Sequence, residues 1–191
     1  NKIKYENDIP ECLLNAKKNN KPVILVSGHF GQWEAVRIML KKNGFETGAI
    51  YRKNKNPFFE SMYLKNIRLG GEPIFPAGLA GTKRMIKHLK AGGILALLLD
   101  QAVSDGDDFK FFGLKAKTSM AIAELALKYN ASIVPCYGIR EQDGVSIRVV
   151  FEDPISNDSP RKIIQSINDS LEARVRTNPT QWHWLHNRWK V

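Results

Sequence analysis

Apolar and polar positions follow two rhythms along this chain. Continuous aliphatic runs at 23–27 and 94–99 have the length and β-branching of buried strands. Shorter extended patterns at 47–51 and 73–75 predict two more strands. Segments 132–140 and 145–151 predict a pair joined by a hairpin at Asp143-Gly144. Between them the spacing shifts to helical. It predicts helices over 10–19, about 32–42, 57–69, 79–90, 119–129 and 160–177. Their ends are marked chemically. Pro57 and Pro160 open helices, Thr118 caps one, and Asn43-Gly44, Gly70-Gly71 and Gly92-Gly93 close others. Residues 102–117, charged and aromatic, read as a long loop, and a Trp-rich tail runs from 181 to 190. Alternating strands and helices with a late hairpin predict a single α/β domain. Its sheet is mixed and mostly parallel, with helices on both faces. No internal linker divides the chain.

Composition supports that picture. With 191 residues and 43% hydrophobic positions the chain can bury a core. There is no repeat and no low-complexity stretch. The longest aliphatic run, 94–99, falls far short of the ~20 residues needed to cross a bilayer, and no signal peptide is present. The chain starts at Asn1 without an initiator Met and reads as an excerpt of a longer protein, which leaves room for an anchor upstream. Cys12 and Cys136 are too few for a disulfide scaffold and lack metal spacing, which favours a reducing setting. Lys and Arg total 29 against 19 Asp and Glu, a net charge of +10 that implies anionic partners. Nucleic acid, anionic lipid and an acidic carrier protein all fit that charge.

The sharpest candidate chemistry lies in Ser27-Gly28-His29-Phe30-Gly31-Gln32-Trp33-Glu34. Small residues at a strand end let the backbone turn into a helix and present His29 at the rim of the sheet. Five residues on, Glu34 is expected to reach back to the imidazole. Such a pair makes a general base, because the carboxylate fixes the tautomer and stabilises the imidazolium that forms. On residues alone, a helix-capping His29 and a solvated Glu34 remain an equal alternative. Asp100-Gln101 ends the buried strand at a position where open sheets bind ligands. Arg52, within Tyr51-Arg52-Lys53-Asn54-Lys55-Asn56-Pro57, precedes a helix N-terminus and suits an anion. Arg68 lies further along that helix. The cluster Phe109-Lys110-Phe111-Phe112-Gly113 either lines an acyl groove or pins its loop. His183 and His186 lack a third ligand, so no metal is expected. Gly78-Leu79-Ala80-Gly81-Thr82-Lys83 departs from phosphate-loop spacing.

Together these blocks resemble the late acyltransferases of lipid A biosynthesis. His29-Phe30-Gly31-Gln32-Trp33-Glu34 is similar to the family's His-x4-Glu signature. Tyr51-Arg52, Leu99-Asp100-Gln101 and Phe111-Phe112-Gly113 with Ala116 and Thr118 resemble the blocks that follow. The stretch from Pro179 through Gln181-Trp182-His183-Trp184 and His186 to Arg188-Trp189-Lys190 resembles the C-terminal block. The resemblance implies a glycerolipid acyltransferase-like fold. It implies transfer of a fatty acyl group from acyl-carrier protein to a hydroxyl of a lipid A precursor. His29 would deprotonate that hydroxyl, Glu34 would orient His29, and no acyl-enzyme would form. Arg52, Arg68, Asp100 and Gln101 would hold the anionic head group or shape the site. An anionic glycolipid, acyl-carrier protein and the membrane surface are the implied partners, with no nucleic acid, cofactor or metal. The implied location is the cytoplasmic face of the bacterial inner membrane. Two rivals stand beside this reading. One is the same chemistry on another membrane glycolipid, of the phosphatidylinositol mannoside type. The other is a non-catalytic basic module binding membrane or nucleic acid.

Overall fold

A computed structural model describes residues 2–6 and 8–189. Five mutually parallel strands run side by side to one edge of a seven-stranded sheet, in the order β1-β9-β8-β2-β5-β3-β4. They are β2 (Val23–Ser27), β3 (Thr47–Tyr51), β4 (Ile74–Pro76), β5 (Ile94–Leu98) and β8 (Ser132–Arg140). Strand β9 (Ile147–Phe151) runs antiparallel to β8, and β1 (Ile3–Tyr5) pairs parallel to β9 at the edge. The expected mostly parallel α/β sheet is what forms. The short edge strand β1 was not anticipated.

Side-chain alternation on β2 explains the layering. Ile24 and Val26 face a core shared with α4 (Leu79–Lys90), α5 (Ala121–Tyr129) and α6 (Pro160–Thr177). Val23 and Leu25 face the opposite core, with α1 (Glu11–Asn19) and α2 (Glu34–Lys42). A strand buried on both faces must be apolar throughout, and all five residues of β2 are buried. Helix α3 (Pro57–Ile67) packs at the β3–β4 edge through Ile67 against Ala49 and Ile74. Asn56 caps α3 by accepting from the Phe58 and Phe59 amides at 3.0 and 3.4 Å, as expected of a residue preceding Pro57.

The segment read as a loop departs most from expectation. It contains an antiparallel hairpin, β6 (Asp107–Phe111) and β7 (Leu114–Thr118). Phe109, Phe111, Ala116 and Thr118 point inward, while Asp108, Lys110, Lys115 and Lys117 point out. Phe112 (φ 54°) and Gly113 (φ 77°) supply the two left-handed residues of a type I′ turn. Phe111 is fully buried beside Trp182 and Trp189, with ring centroids 5.4 and 5.8 Å away. That Phe therefore pins the hairpin.

Candidate active site

Sheet register builds this site. Strands β2 and β5 are neighbours, and their last paired residues are Ser27 and Leu98. The parallel chains leave the same edge of the sheet side by side. His29 and Asp100 each lie two residues beyond the pair, so they emerge together. Asp100 Oδ2 accepts from the His29 backbone amide at 2.8 Å. Asp100 Oδ1 accepts from His29 Nδ1 at 2.8 Å. A third donor, Trp182 Nε1, reaches Oδ2 at 2.9 Å.

These bonds set protonation states. Asp100 is only 4% exposed. Burial pushes its carboxyl up, but hydrogen bonds and charge from His29, with the Trp182 bond, outweigh burial and hold it below the ordinary carboxylate range. An ionised carboxylate only accepts, so the imidazole proton sits on Nδ1. The lone pair is left on Nε2, which has no hydrogen-bond partner among the described residues. His29 is half-buried, and Trp33 meets its ring edge-on at 5.2 Å between centroids.

The tail completes the constellation. Trp182 pairs antiparallel with Phe30 as a single bridge, and the His183 amide donates to the His29 carbonyl at 2.9 Å. The Gly31 amide donates to the Gln181 carbonyl at 2.8 Å. The Gln181 side chain accepts from the Arg140 amide and donates to the Arg140 carbonyl, both at 2.9 Å. Gly31 sits at φ +55°, and a Cβ there would lie 2.1 Å from the Gly138 carbonyl oxygen. At Gly28 a Cβ would lie 2.6 Å from Leu171 and 3.1 Å from the Asp100 carboxyl carbon. Both glycines let the turn carrying His29 press against its supports. The His186 Nε2 accepts from the Ala102 amide at 3.0 Å, anchoring the chain just past Asp100-Gln101.

Glu34 does not reach the imidazole, and the expected His29–Glu34 contact is corrected. Asp100 already occupies Nδ1. Glu34, the first residue of α2, instead turns toward Gly70, where an added Cβ would lie 2.9 Å from its Oε2. That oxygen accepts from Arg37 Nη1 at 2.7 Å. Arg37, 2% exposed, also donates to the carbonyls of Ile67 at 3.2 Å and Gly71 at 2.9 Å. Two further bonds to the Thr47 carbonyl join α2 to β3. Burial raises the Glu34 carboxyl above its ordinary value, and Arg37 pulls partly against that. Glu34→Gln would leave Arg37 a buried cation without its carboxylate. Glu34 is about a quarter exposed, so screening trims the effect, and a loss of about 2 kcal/mol in a denaturant melt is expected.

The other anticipated residues divide. Arg52 follows β3 at the same edge, one strand beyond β5, and is exposed. Arg68 closes α3, is 58% exposed and pairs with Glu72 at 2.9 Å. Gln101 is exposed immediately after Asp100. None of the three contacts His29. Lys190, the last matching position of the tail, lies outside the described residues. Trp182, Gln181 and His186 belong to the tail block, whose resemblance marks them without giving them a part, and only the fold brings them to the chain around His29 and Asp100. Among the described residues no group of acidic, Cys or His side chains could hold a metal.

Comparison with known proteins identifies relatives of this chain. Residues 6–191 match the family described as bacterial lipid A biosynthesis acyltransferase. A lipid A biosynthesis acyltransferase of Haemophilus influenzae is 22% identical over 179 residues, which covers 92% of this chain and 56% of the relative. The lipid A biosynthesis myristoyltransferase of Escherichia coli is 24% identical over 185 residues, covering 92% of this chain and 55% of its own length. The chain thus spans about half the length of the curated relatives it matches.

Proposed function

Because this chain belongs to the bacterial lipid A biosynthesis acyltransferase family, we propose that it moves a fatty acyl group from acyl-carrier protein to a hydroxyl of a lipid A precursor, with His29 as general base. The observation that carries this reading is the imidazole held at Nδ1 by Asp100 with Nε2 unpartnered among the described residues. Nε2 takes the proton as the acceptor oxygen attacks the thioester carbonyl. Positive charge then appears on His29, and the Asp100 carboxylate offsets it. The tetrahedral intermediate collapses by breaking the carbon–sulfur bond. The proton passes from Nε2 to the departing thiolate, so His29 returns to its starting state. The acceptor supplies the nucleophilic oxygen, and no side chain becomes acylated.

The net charge of +10 suits an acidic carrier, an anionic glycolipid and the membrane surface. Arg52 lies at the same sheet edge as His29, which supports giving it the acceptor phosphate. Arg68 and Gln101 take secondary parts in head-group contact. Among the described residues no helix is long and apolar enough to cross a membrane. We place the reaction at the cytoplasmic face of the bacterial inner membrane, where a soluble carrier meets a lipid acceptor.

Incubating the protein with acyl-carrier-protein thioester and a panel of acceptors tests this. Acylation of a tetra-acylated lipid A precursor is the expected result, detected by mass spectrometry of the lipid. Transfer only to phosphatidylinositol mannoside would move the reading to that acceptor class. No transfer to any acceptor would overturn it.

A further inference from the structure

Helix α3 is built inside out. Only Glu60 and Ile67 among its residues are buried. Its carboxylate is turned inward, where Glu60 Oε2 accepts from the Asn54 amide at 2.8 Å. Its apolar residues face water instead: Phe58 is 87% exposed, Met62 54% and, just past the helix, Leu69 60%. Phe58 and Met62, at i and i+4, share one outward face of the helix, and Leu69 is exposed on the 3-10 turn that follows it. Lone exposed apolar residues are ordinary, but a group of them marks a contact surface.

The charges around that group identify the contact. Segment 51–69 contains Arg52, Lys53, Lys55, Lys65 and Arg68, and its one acid is the buried Glu60. Arg52, Lys53, Lys55 and Lys65 are exposed and make no ion pair among the described residues. Cations stand at both ends of a helix whose outer face is aromatic and aliphatic. Basic side chains flanking the helix reach phosphate level while its exposed apolar residues enter acyl chains, which suits the surface of an anionic leaflet. An acidic protein partner would match the cations but not an apolar group led by an almost fully exposed Phe.

Location matters too. Helix α3 begins just past the end of β3, at the sheet edge where His29 and Asp100 emerge. We infer that the outer face of α3 inserts Phe58, Met62 and Leu69 into the interfacial zone of an anionic bilayer, with Arg52, Lys53, Lys55 and Lys65 at its phosphates. A lipid acceptor then reaches the site edge without leaving the membrane. This last step rests on the acyl-transfer reading, while the bilayer contact does not.

The test uses the full chain and vesicles of phosphatidylcholine with or without phosphatidylglycerol. The parent is expected to sediment with the phosphatidylglycerol vesicles. A Phe58→Ser, Met62→Ser double variant is expected to bind them more weakly by about tenfold or more. Lys53→Glu with Lys55→Glu is expected to abolish the preference for the anionic lipid. All four positions are exposed, so unchanged thermal melts are expected to show an intact fold. For depth, a fluorophore is placed on Phe58→Cys in a Cys12→Ser background. It is expected to be quenched by brominated acyl chains, and one on Lys21→Cys, at the opposite edge of the sheet, is not. Undiminished binding of the serine variant, equal binding to both vesicle types, or equal quenching at the two labels would each overturn the proposal. Transfer assayed in detergent micelles separates the two claims. Absence of transfer there counts against the enzyme reading and leaves the vesicle result standing.

Discussion

Asp100→Asn is expected to lower acyl transfer by roughly 10³- to 10⁴-fold while the protein stays folded, the scale seen when an orienting aspartate is made an amide. The reason is a count of donors and acceptors. Oδ2 accepts from two groups, the His29 amide and Trp182 Nε1, and Oδ1 accepts from His29 Nδ1. An asparagine keeps the two-donor position by placing its carbonyl oxygen there. Its amide NH2 must then face Nδ1, and it is a donor. The imidazole answers by moving its proton to Nε2. That tautomer has no lone pair on the side of the acceptor hydroxyl, so the base is lost while the scaffold remains. His29→Ala removes the base itself and is expected to cost on the order of 10²- to 10⁴-fold. Glu34→Gln, which touches Arg37 rather than the imidazole, is expected to reduce transfer far less than either. Transfer rates of the three variants, read beside their circular dichroism, check the ranking. Equal losses at Glu34 and Asp100 would return the orienting role to Glu34.

The same pairing gives a pH dependence with a definite sign. The folded-state carboxyl of Asp100 lies below its ordinary value. Its contribution to stability is therefore fully present above the unfolded pKa, about 3.9 for an aspartate. It disappears as pH falls through the lower, folded-state value. The Asn variant lacks this contribution and is expected to melt with a weaker dependence on pH across that acid window.

Helical and strand rhythms placed the six helices and the strands of the main sheet from β2 onward, because those patterns are local. The hairpin of β6 and β7 carried its own signal, with Phe109 and Phe111 alternating against Asp108 and Lys110 ahead of Phe112-Gly113. Its charge density made it read as a solvated loop. Strand β1 is three residues long, and its partner β9 lies at the far end of the sequence. The active pair was illegible for a similar reason. His29 and Asp100 are 71 positions apart, and nothing local says that β2 and β5 are neighbours. Glu34 lies only five positions from His29, and local spacing therefore gave it a contact that tertiary register gives to Asp100. The resemblance did flag Asp100-Gln101 and Trp182, but only the fold shows that both meet at one imidazole.

Arg188→Ala is expected to lower stability by about 3 kcal/mol, in the range of leaving buried polar groups and a cavity behind. For a chain of this size that corresponds to a fall in Tm of roughly 6–12 °C. Arg188 is fully buried yet pairs with no carboxylate among the described residues. It donates to the Lys117 carbonyl at 2.6 Å and to Thr118 Oγ1 at 2.5 Å, and its guanidinium lies 5.5 Å from the centre of the Phe111 ring. Burial pushes its pKa down, while the negative charge of Asp100 pushes it back up. The cation is thus held by the hairpin's carbonyl, hydroxyl and ring, and balanced at a distance by the carboxylate that orients His29. Alanine removes all of these at once and loosens the packing of Phe111, Trp182 and Trp189, so Trp182 no longer holds Asp100. Arg188→Met separates the two contributions. It refills much of the volume and is expected to recover part of the stability. The bonds and charge that hold Asp100 down come from His29 and Trp182, so the acid limb of stability is expected to stay in place in Arg188→Met. Thermal melts of the parent and both variants measure the recovery. A Met variant no more stable than Arg188→Ala would show that the guanidinium's polar contacts, and not its volume, hold the tail against the hairpin.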